Sequence, residues 1–447
     1  MIKEIDLIIE NCLLPDRDTG TARAVSIACS GGVIMDVNQR QQIAERYTCA
    51  KRYDGGGRFI FPGLVNTHTH TFQTLLKGIA KDKPLLEWLA RGIRASLHLL
   101  SDEALYTAAL LACMDGISSG TTTILDYAYA NVSEGSMDAI ARAMRDIGVR
   151  GILARGFSED TYGKGDKSLD LSEPVESVIE SFLQLRERNR ERSVGSALAP
   201  TAVWNFTEKG LETVASFARD YSVPLTMHVN ETELDNQFCQ ERYGCSCTGL
   251  LERTGCLDNS FLAVHCVEME REDIERFARK GVSVSYNPVS NMLLGSGVSP
   301  MKEIQAAGIN IVMGTDGAGS NDTQNMLDTV RFGSLLQKGF YRDPTIFPAG
   351  EMLRMATANG AKALGLESVT GSISVGTAAD FMLCDFSSSA ALPVRDPESA
   401  MVYQADRTNI SAVFVRGECV YEGGRFTRID QDAVLGDAER LAREISG

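Results

Sequence analysis

Phe61-Pro62-Gly63-Leu64-Val65-Asn66-Thr67-His68-Thr69-His70 is a short apolar run that ends in two histidines one residue apart. A run of this kind, bounded by turn residues, reads as a buried strand. Seven more follow it in order: Thr121 to Asp126, Gly151 to Arg155, Val194 to Ala199, Pro224 to His228, Phe261 to His265, Val282 to Tyr286 and Ile309 to Met313. Between them lie segments with apolar residues at helical spacing. Met137, Ile140, Ala141, Met144 and Ile147 end at Gly148, and Leu211, Val214, Ala215, Phe217 and Ala218 make a second example. Short buried strands alternating with amphipathic helices imply parallel strands joined by helical crossovers. Eight such units over about 300 residues have the count and size of an α/β fold, the (β/α)8 TIM barrel.

The flanks read differently. Residues 1–58 and 369–447 carry short alternating strands and turn glycines, such as Ala412-Val413-Phe414-Val415 before Gly417 and Val420-Tyr421 before Gly423-Gly424. Neither flank is long enough to fold alone, so both chain ends are expected to pair as one small β-sandwich beside a barrel spanning residues 59–368. A terminal helix is expected around Leu435 to Ile445.

Composition narrows the function classes. The 447 residues are 44% hydrophobic and 23% charged with a net charge of −15, which excludes a disordered chain and disfavours nucleic acid and anionic membranes as partners. No run approaches the roughly 20 apolar residues of a membrane span. Met1 to Glu10 alternates charged and apolar residues, as a strand does and a signal peptide does not. Eleven cysteines without framework spacing fit reduced thiols and a cytoplasmic location. Cys245 and Cys247 form a lone C-x-C, a spacing more often incidental than metal-binding. A homo-oligomer stays open.

The histidines carry the chemistry. His68 and His70, two apart in an extended segment, point to one face. His228 closes the fifth strand run, His265 the sixth, and Asp316 the segment Ile311-Val312-Met313-Gly314-Thr315-Asp316 that ends the eighth. All five side chains therefore stand at carboxyl ends of barrel strands, where barrel active sites form. Four of the five histidines in the chain lie there; core histidines would scatter over helices and both barrel ends. Three imidazoles and one carboxylate suit a single divalent ion with an open position for water, zinc by default, with iron and manganese also compatible with the ligand types. Such an ion lowers the pKa of its water toward ~7. Glu231, three residues past His228, is placed to accept that proton and return it to a leaving group, with Glu233 as a rival. His265 and Asp316 then orient and polarise the water. His98, the fifth histidine, reads as a solvated helix end.

These residues resemble the amidohydrolase superfamily, in its branch of aminohydrolases that includes S-adenosylhomocysteine/methylthioadenosine deaminases, cytosine and guanine deaminases and triazine hydrolases. The likeness rests on Pro62 to His70, Leu75-Leu76-Lys77-Gly78, Glu87-Trp88-Leu89, Ser119-Gly120-Thr121-Thr122-Thr123, His228-Val229-Asn230-Glu231, Val264-His265-Cys266, Ser290 to Gly297, Gly314-Thr315-Asp316-Gly317 and Gly376 to Phe381, in order along nearly the whole chain. The resemblance implies one metal on His68, His70, His228 and Asp316, Glu231 as proton shuttle, His265 beside the nucleophilic water and the substrate, and Asp316 accepting a proton as water attacks a ring carbon bearing an amino group. The fourth strand run, Ser193 to Pro200, has no lysine to carbamylate, which disfavours the two-metal, cyclic-amide branch. Trp88 and Arg155 match positions that contact substrate in adenosine-type members. Where those members carry a glutamate for ribose and a histidine after strand four, this chain has Ser96-Leu97-His98 and Leu198-Ala199, which puts ribose recognition in doubt.

The expected activity is hydrolytic deamination of an amino-substituted aromatic heterocycle: a purine, pterin, pyrimidine, adenosine derivative or aminotriazine. Displacement of halide or alkylamine from a triazine is the close alternative and cyclic amide hydrolysis a second. A non-enzymatic scaffold on a retired barrel would lack stoichiometric metal.

Overall fold

All eight runs fold as strands. The computed structural model describes residues 2–16, 19–159 and 172–446. From the amino-terminal flank come β1 (Lys3–Asp16), β2 (Thr21–Ser30), β3 (Val33–Asn38), β4 (Tyr47–Asp54) and β5 (Phe59–Pro62). The barrel strands are β6 (Leu64–Thr69), β7 (Thr121–Ala128), β8 (Arg150–Phe157), β9 (Gly195–Pro200), β10 (Leu225–Val229), β11 (Phe261–His265), β12 (Ser283–Tyr286) and β13 (Asn310–Met313). The carboxyl-terminal flank adds β14 (Phe381–Cys384), β15 (Ile410–Val415), β16 (Glu418–Glu422) and β17 (Arg425–Phe426).

β6 to β13 pair in sequence order, parallel throughout. The two end strands meet through the Thr67 hydroxyl, which donates to the Met313 carbonyl at 2.9 Å, and the Asp316 N–H, which donates to the His68 carbonyl at 3.0 Å. Alternation sends Leu125, Tyr127, Ile152, Ala154, Ala197, Ala199, Leu262 and Val312 into the barrel interior, while Ile124, Leu153, Leu198 and Ala263 join the layer under the helices. Both faces are buried, which is why these strands read as continuous apolar runs. Each fully buried Leu or Ile contributes about 1.5–3 kcal/mol. Ala363, Leu364 and Leu366 close the amino-terminal end of the barrel, leaving the carboxyl-terminal mouth for the site.

The helical expectations hold in detail. Ser136–Ile147 stops at Gly148, whose φ of 90° ends the helix with a left-handed cap, and Glu208–Asp220 is capped by the Thr207 hydroxyl, which accepts from the Gly210 N–H. The terminal helix Gln431–Ser446 packs against the barrel helix Asp102–Ile117, pinned by an Arg440–Glu103 ion pair.

The chain ends build one nine-stranded sheet, β17-β16-β15-β14-β5-β1-β2-β3, with β4 also on β1. Tyr53 of β4 packs edge-on against Phe414 of β15 with centroids 5.1 Å apart, although β1, β5 and β14 intervene in the pairing order. Strands about 4.8 Å apart reach that contact only if the sheet folds back over its own core, formed by Leu7, Ile9, Ile27, Ile60, Phe381 and Phe414 among others. One boundary differs from the sequence reading. Phe59–Pro62, assigned there to the barrel, pairs with β14 and β1, so the chain enters the barrel at Gly63. The backbone passes so close to Thr122 that a Cβ at Gly63 would lie 2.1 Å from its Oγ1. Arg150 and the buried Asp380, 2.8 Å apart, tie the sheet to the barrel.

All eleven cysteines are free, and Cys245 and Cys247 flank Ser246, the cap of the helix Cys247–Arg253. Among the described residues no helix is long and apolar enough to cross a membrane.

Candidate metal centre and catalytic cavity

Five side chains from the ends of three barrel strands, β6, β10 and β11, and from the turn after β13 converge at the open mouth. Potential ligand atoms of His68, His228 and His265, and separately of His68, His70 and Asp316, all lie within 4.8 Å of one another. Nε2 of His68 is 3.2 Å and Nε2 of His70 3.3 Å from Asp316 Oδ1, and the Nε2 atoms of His70 and His228 are 3.3 Å apart.

The hydrogen bonds behind these rings set their tautomers. His70 Nδ1 lies 2.7 Å from the Tyr127 carbonyl, and His228 Nδ1 2.7 Å from the Thr201 carbonyl. A carbonyl only accepts, so both Nδ1 atoms carry the proton and both Nε2 atoms point lone pairs at the centre. Two lone pairs facing each other at 3.3 Å repel unless a cation lies between them. His68, wholly buried, has no hydrogen-bond partner on either ring nitrogen. Burial pushes all three rings toward the neutral form, His70 down to about 3. Burial opposes ionisation of Asp316, but the imidazole of His68 beside it, together with His70 and His265, holds it well below the usual carboxylate range. Ser290 and Ser320 donate to Asp316 Oδ2 at 2.6 and 2.9 Å, and the Gly317 N–H donates to Oδ1 at 2.7 Å. Neutral imidazoles and one carboxylate, at separations close to the roughly 3.4 Å edge of a tetrahedron with ~2.1 Å bonds, fit a divalent ion such as zinc.

His265 reaches this group by an irregular backbone. Its neighbours on β11 alternate, with Leu262 inward and Ala263 outward, so a regular strand would send His265 outward. A φ of 74° at His265, followed by 51° at Cys266, swings the ring into the mouth, where Asn291 Oδ1 accepts from its Nδ1 at 2.8 Å. Asp316 (φ 64°) and Asn230 (φ 48°), next to Glu231, also take the left-handed conformation that costs non-glycine residues of order 1–3 kcal/mol. Glu231 is buried, and burial raises its carboxyl pKa, with the His265 imidazole beside it acting in the opposite direction. Its Oε2 stands 3.7 Å from His265 Nε2, too long for a hydrogen bond and short enough for one small polar group to touch both. Glu233 is exposed and begins the helix Glu233–Tyr243.

The cluster opens into a cavity walled by Trp88, Tyr129, Phe157 and Trp204 with Leu85, Leu97 and Leu294. Trp88 is among the lining residues. Arg155 is not: its guanidinium is bound by both carboxylate oxygens of Glu173, at 2.8 and 2.7 Å. His98 is exposed at the turn Leu97–Leu99. Sequence reasoning named no role for Gln73, Arg94, Tyr129, Thr201, Trp204, Asn205, Ser290 or Asn291. Only Ser290 and Asn291 left a trace there, inside the Ser290 to Gly297 motif; Thr201 acts through a backbone carbonyl that no side chain announces.

Known proteins resemble this chain in sequence and in fold. The sequence profile of the amidohydrolase family matches residues 59–420. The 5-methylthioadenosine/S-adenosylhomocysteine deaminase of Desulforudis audaxviator is 36% identical over 422 residues, covering 94% of each chain. An adenosine deaminase from Xanthomonas campestris with bound zinc superposes with a TM-score of 0.91 over 100% of both chains at 27% identity. Atrazine chlorohydrolase from Arthrobacter aurescens, complexed with zinc, gives 0.88 over 98% of this chain and 100% of its own at 25% identity. The protein described here belongs to the amidohydrolase family.

Proposed function

We propose that the protein is a hydrolase of carbon–nitrogen bonds that deaminates an amino-substituted aromatic heterocycle and holds one divalent ion, zinc, on His68, His70, His228 and Asp316. The observation that carries this reading is the buried Glu231 beside His265, both on the wall of an aromatic cavity that leads to the ligand cluster. When bound, the ion supplies the positive charge that lowers the pKa of an adjacent water toward ~7. Glu231, whose carboxyl burial moves toward the protonated form, takes the proton of the attacking water and passes it to the departing amino group. His265, its Nδ1–H committed to Asn291, presents the Nε2 lone pair to the water or the substrate ring. Asp316, with Oδ2 held by two serine hydroxyls, keeps Oδ1 toward the reacting centre. Trp88, Phe157 and Trp204 exclude water from a flat ring and offer it stacking faces. Relatives named as methylthioadenosine/S-adenosylhomocysteine and adenosine deaminases support purine-type substrates.

The test is an ammonia-release screen of metal-loaded protein against amino-purines, adenosine derivatives, amino-pyrimidines, pterins and aminotriazines. Ammonia from none of them defeats the reading. The likeness to atrazine chlorohydrolase favours one second reading, in which the same attack expels halide or alkylamine from a triazine. Chloride or alkylamine in place of ammonia would identify it.

A further inference from the structure

One wall of the cavity carries a cation that the deamination chemistry does not use. Trp88, Leu89, Ile93, Arg94 and Leu97 come from successive helical turns and line the same side. Arg94 pairs with no carboxylate among the described residues, whereas its neighbour Arg91 is paired with Glu87 at 3.1 Å. Arg155, the other arginine near the site, is already neutralised by Glu173. Tyr129 links the cation to the reacting centre: its ring lies 4.9 Å from that of His70, and its hydroxyl feels the charge of Arg94.

Two polar atoms of lining residues, Trp88 Nε1 and Asn205 Oδ1, have no hydrogen-bond partner and are shielded from solvent. A half-buried guanidinium without a carboxylate, in a chain of net charge −15, is a matching site for an anion that the rest of the surface repels.

We propose that the substrate carries an anionic oxygen group, a carboxylate or a phosphate, as a substituent of its heterocycle, and that Arg94 is the specificity-determining residue that binds it. This deepens the deaminase reading and rests on it for the location of the pocket.

The experiment is calorimetric titration of the full-length, metal-loaded protein with carboxymethyl, phosphonomethyl and carbamoylmethyl derivatives of 6-aminopurine and of diaminotriazine, with ammonia release measured in parallel. The expected result is that at least one anionic derivative binds about 10- to 100-fold more tightly than its neutral carbamoylmethyl counterpart. The ratio should fall toward one in Arg94→Gln, be partly kept in Arg94→Lys, and persist in the control Arg91→Gln. The split between the carboxymethyl and phosphonomethyl arms tells which anion the site prefers. Equal affinity of charged and neutral ligands, no binding of any of them, or a preference that survives Arg94→Gln and falls in Arg155→Gln overturns the proposal. Charge-selective binding without ammonia would refute the deaminase reading alone; ammonia release without charge selectivity would refute only the role of Arg94.

Discussion

Replacing Glu231 by Gln separates holding the metal from moving the proton. The substitution keeps the side-chain volume, so the buried site neither collapses nor overpacks. Glu231 belongs to neither group of converging ligand atoms, so the His68, His70, His228 and Asp316 cluster stays intact and the variant should purify with the metal content of the wild type. What disappears is a carboxyl that stands 3.7 Å from His265 Nε2 and that the proposed reaction uses to exchange a proton. Positioned acid–base groups contribute typically 10²–10⁴ in rate, and at ~1.36 kcal/mol per decade the loss corresponds to about 3–5 kcal/mol in the barrier. The assay is coupled ammonia release beside elemental analysis on the same preparation. The wild-type profile should also show an acid limb. Burial places the Glu231 pKa above its ordinary 4.5, so kcat/KM rises with pH through that raised value as the base form appears, and the residual rate of the variant lacks this limb. The sign for stability is opposite. A carboxyl whose folded-state pKa is raised contributes stability that is complete below the unfolded value and lost as pH rises through the folded one, so Glu231→Gln gains on the wild type toward neutral pH in the metal-free protein. More than a tenth of wild-type turnover, or loss of the metal, would refute the assignment.

Other substitutions test the frame around it. His228→Ala removes a ring fixed by the Thr201 carbonyl and should cut bound metal from about one ion per chain to under a tenth, read by elemental analysis; full retention would remove His228 from the ligand set. Gly314→Ala would put a Cβ 2.3 Å from Asn287 Oδ1 and 2.9 Å from His68 Cβ, and should cost about 1–3 kcal/mol in thermal unfolding and loosen the metal; an unchanged melting curve would show that the strand ends can move apart. Stripping the metal with a chelator should lower stability by about 4 kcal/mol if the free ion had been at a thousandfold excess over Kd. Restoring zinc should bring back the melting temperature, and a melting temperature indifferent to the metal would count against the cluster as a binding site.

How much was legible depends on what each feature is made of. The barrel was readable because its strands are buried on both faces and its helices are amphipathic, so hydrophobic periodicity records the layering directly. Gly148 marked a helix end because that position must take a positive φ, whereas the Thr207 cap appeared only in the structure. The placing of His68, His70, His228, His265 and Asp316 at the strand ends followed from the same periodicity, and Glu231 from its distance to His228. The transition of Phe59–Pro62 into the end-formed sheet was not readable, because a short apolar strand does not say which partner it pairs with.

The sequence alone thus determined the layers, the strand ends and the residue types that stand there, since each is written in local periodicity and chemistry. Tertiary structure decided the rest through contacts distant in sequence. The Tyr127 and Thr201 carbonyls select the tautomers of His70 and His228, and a left-handed residue swings His265 inward against the alternation of its strand. Burial separates Glu231 from the exposed Glu233, and Glu173 occupies Arg155 while Arg94 is left facing the cavity. Solvation, tautomer and pairing belong to the environment of a side chain, which exists only after the chain has folded.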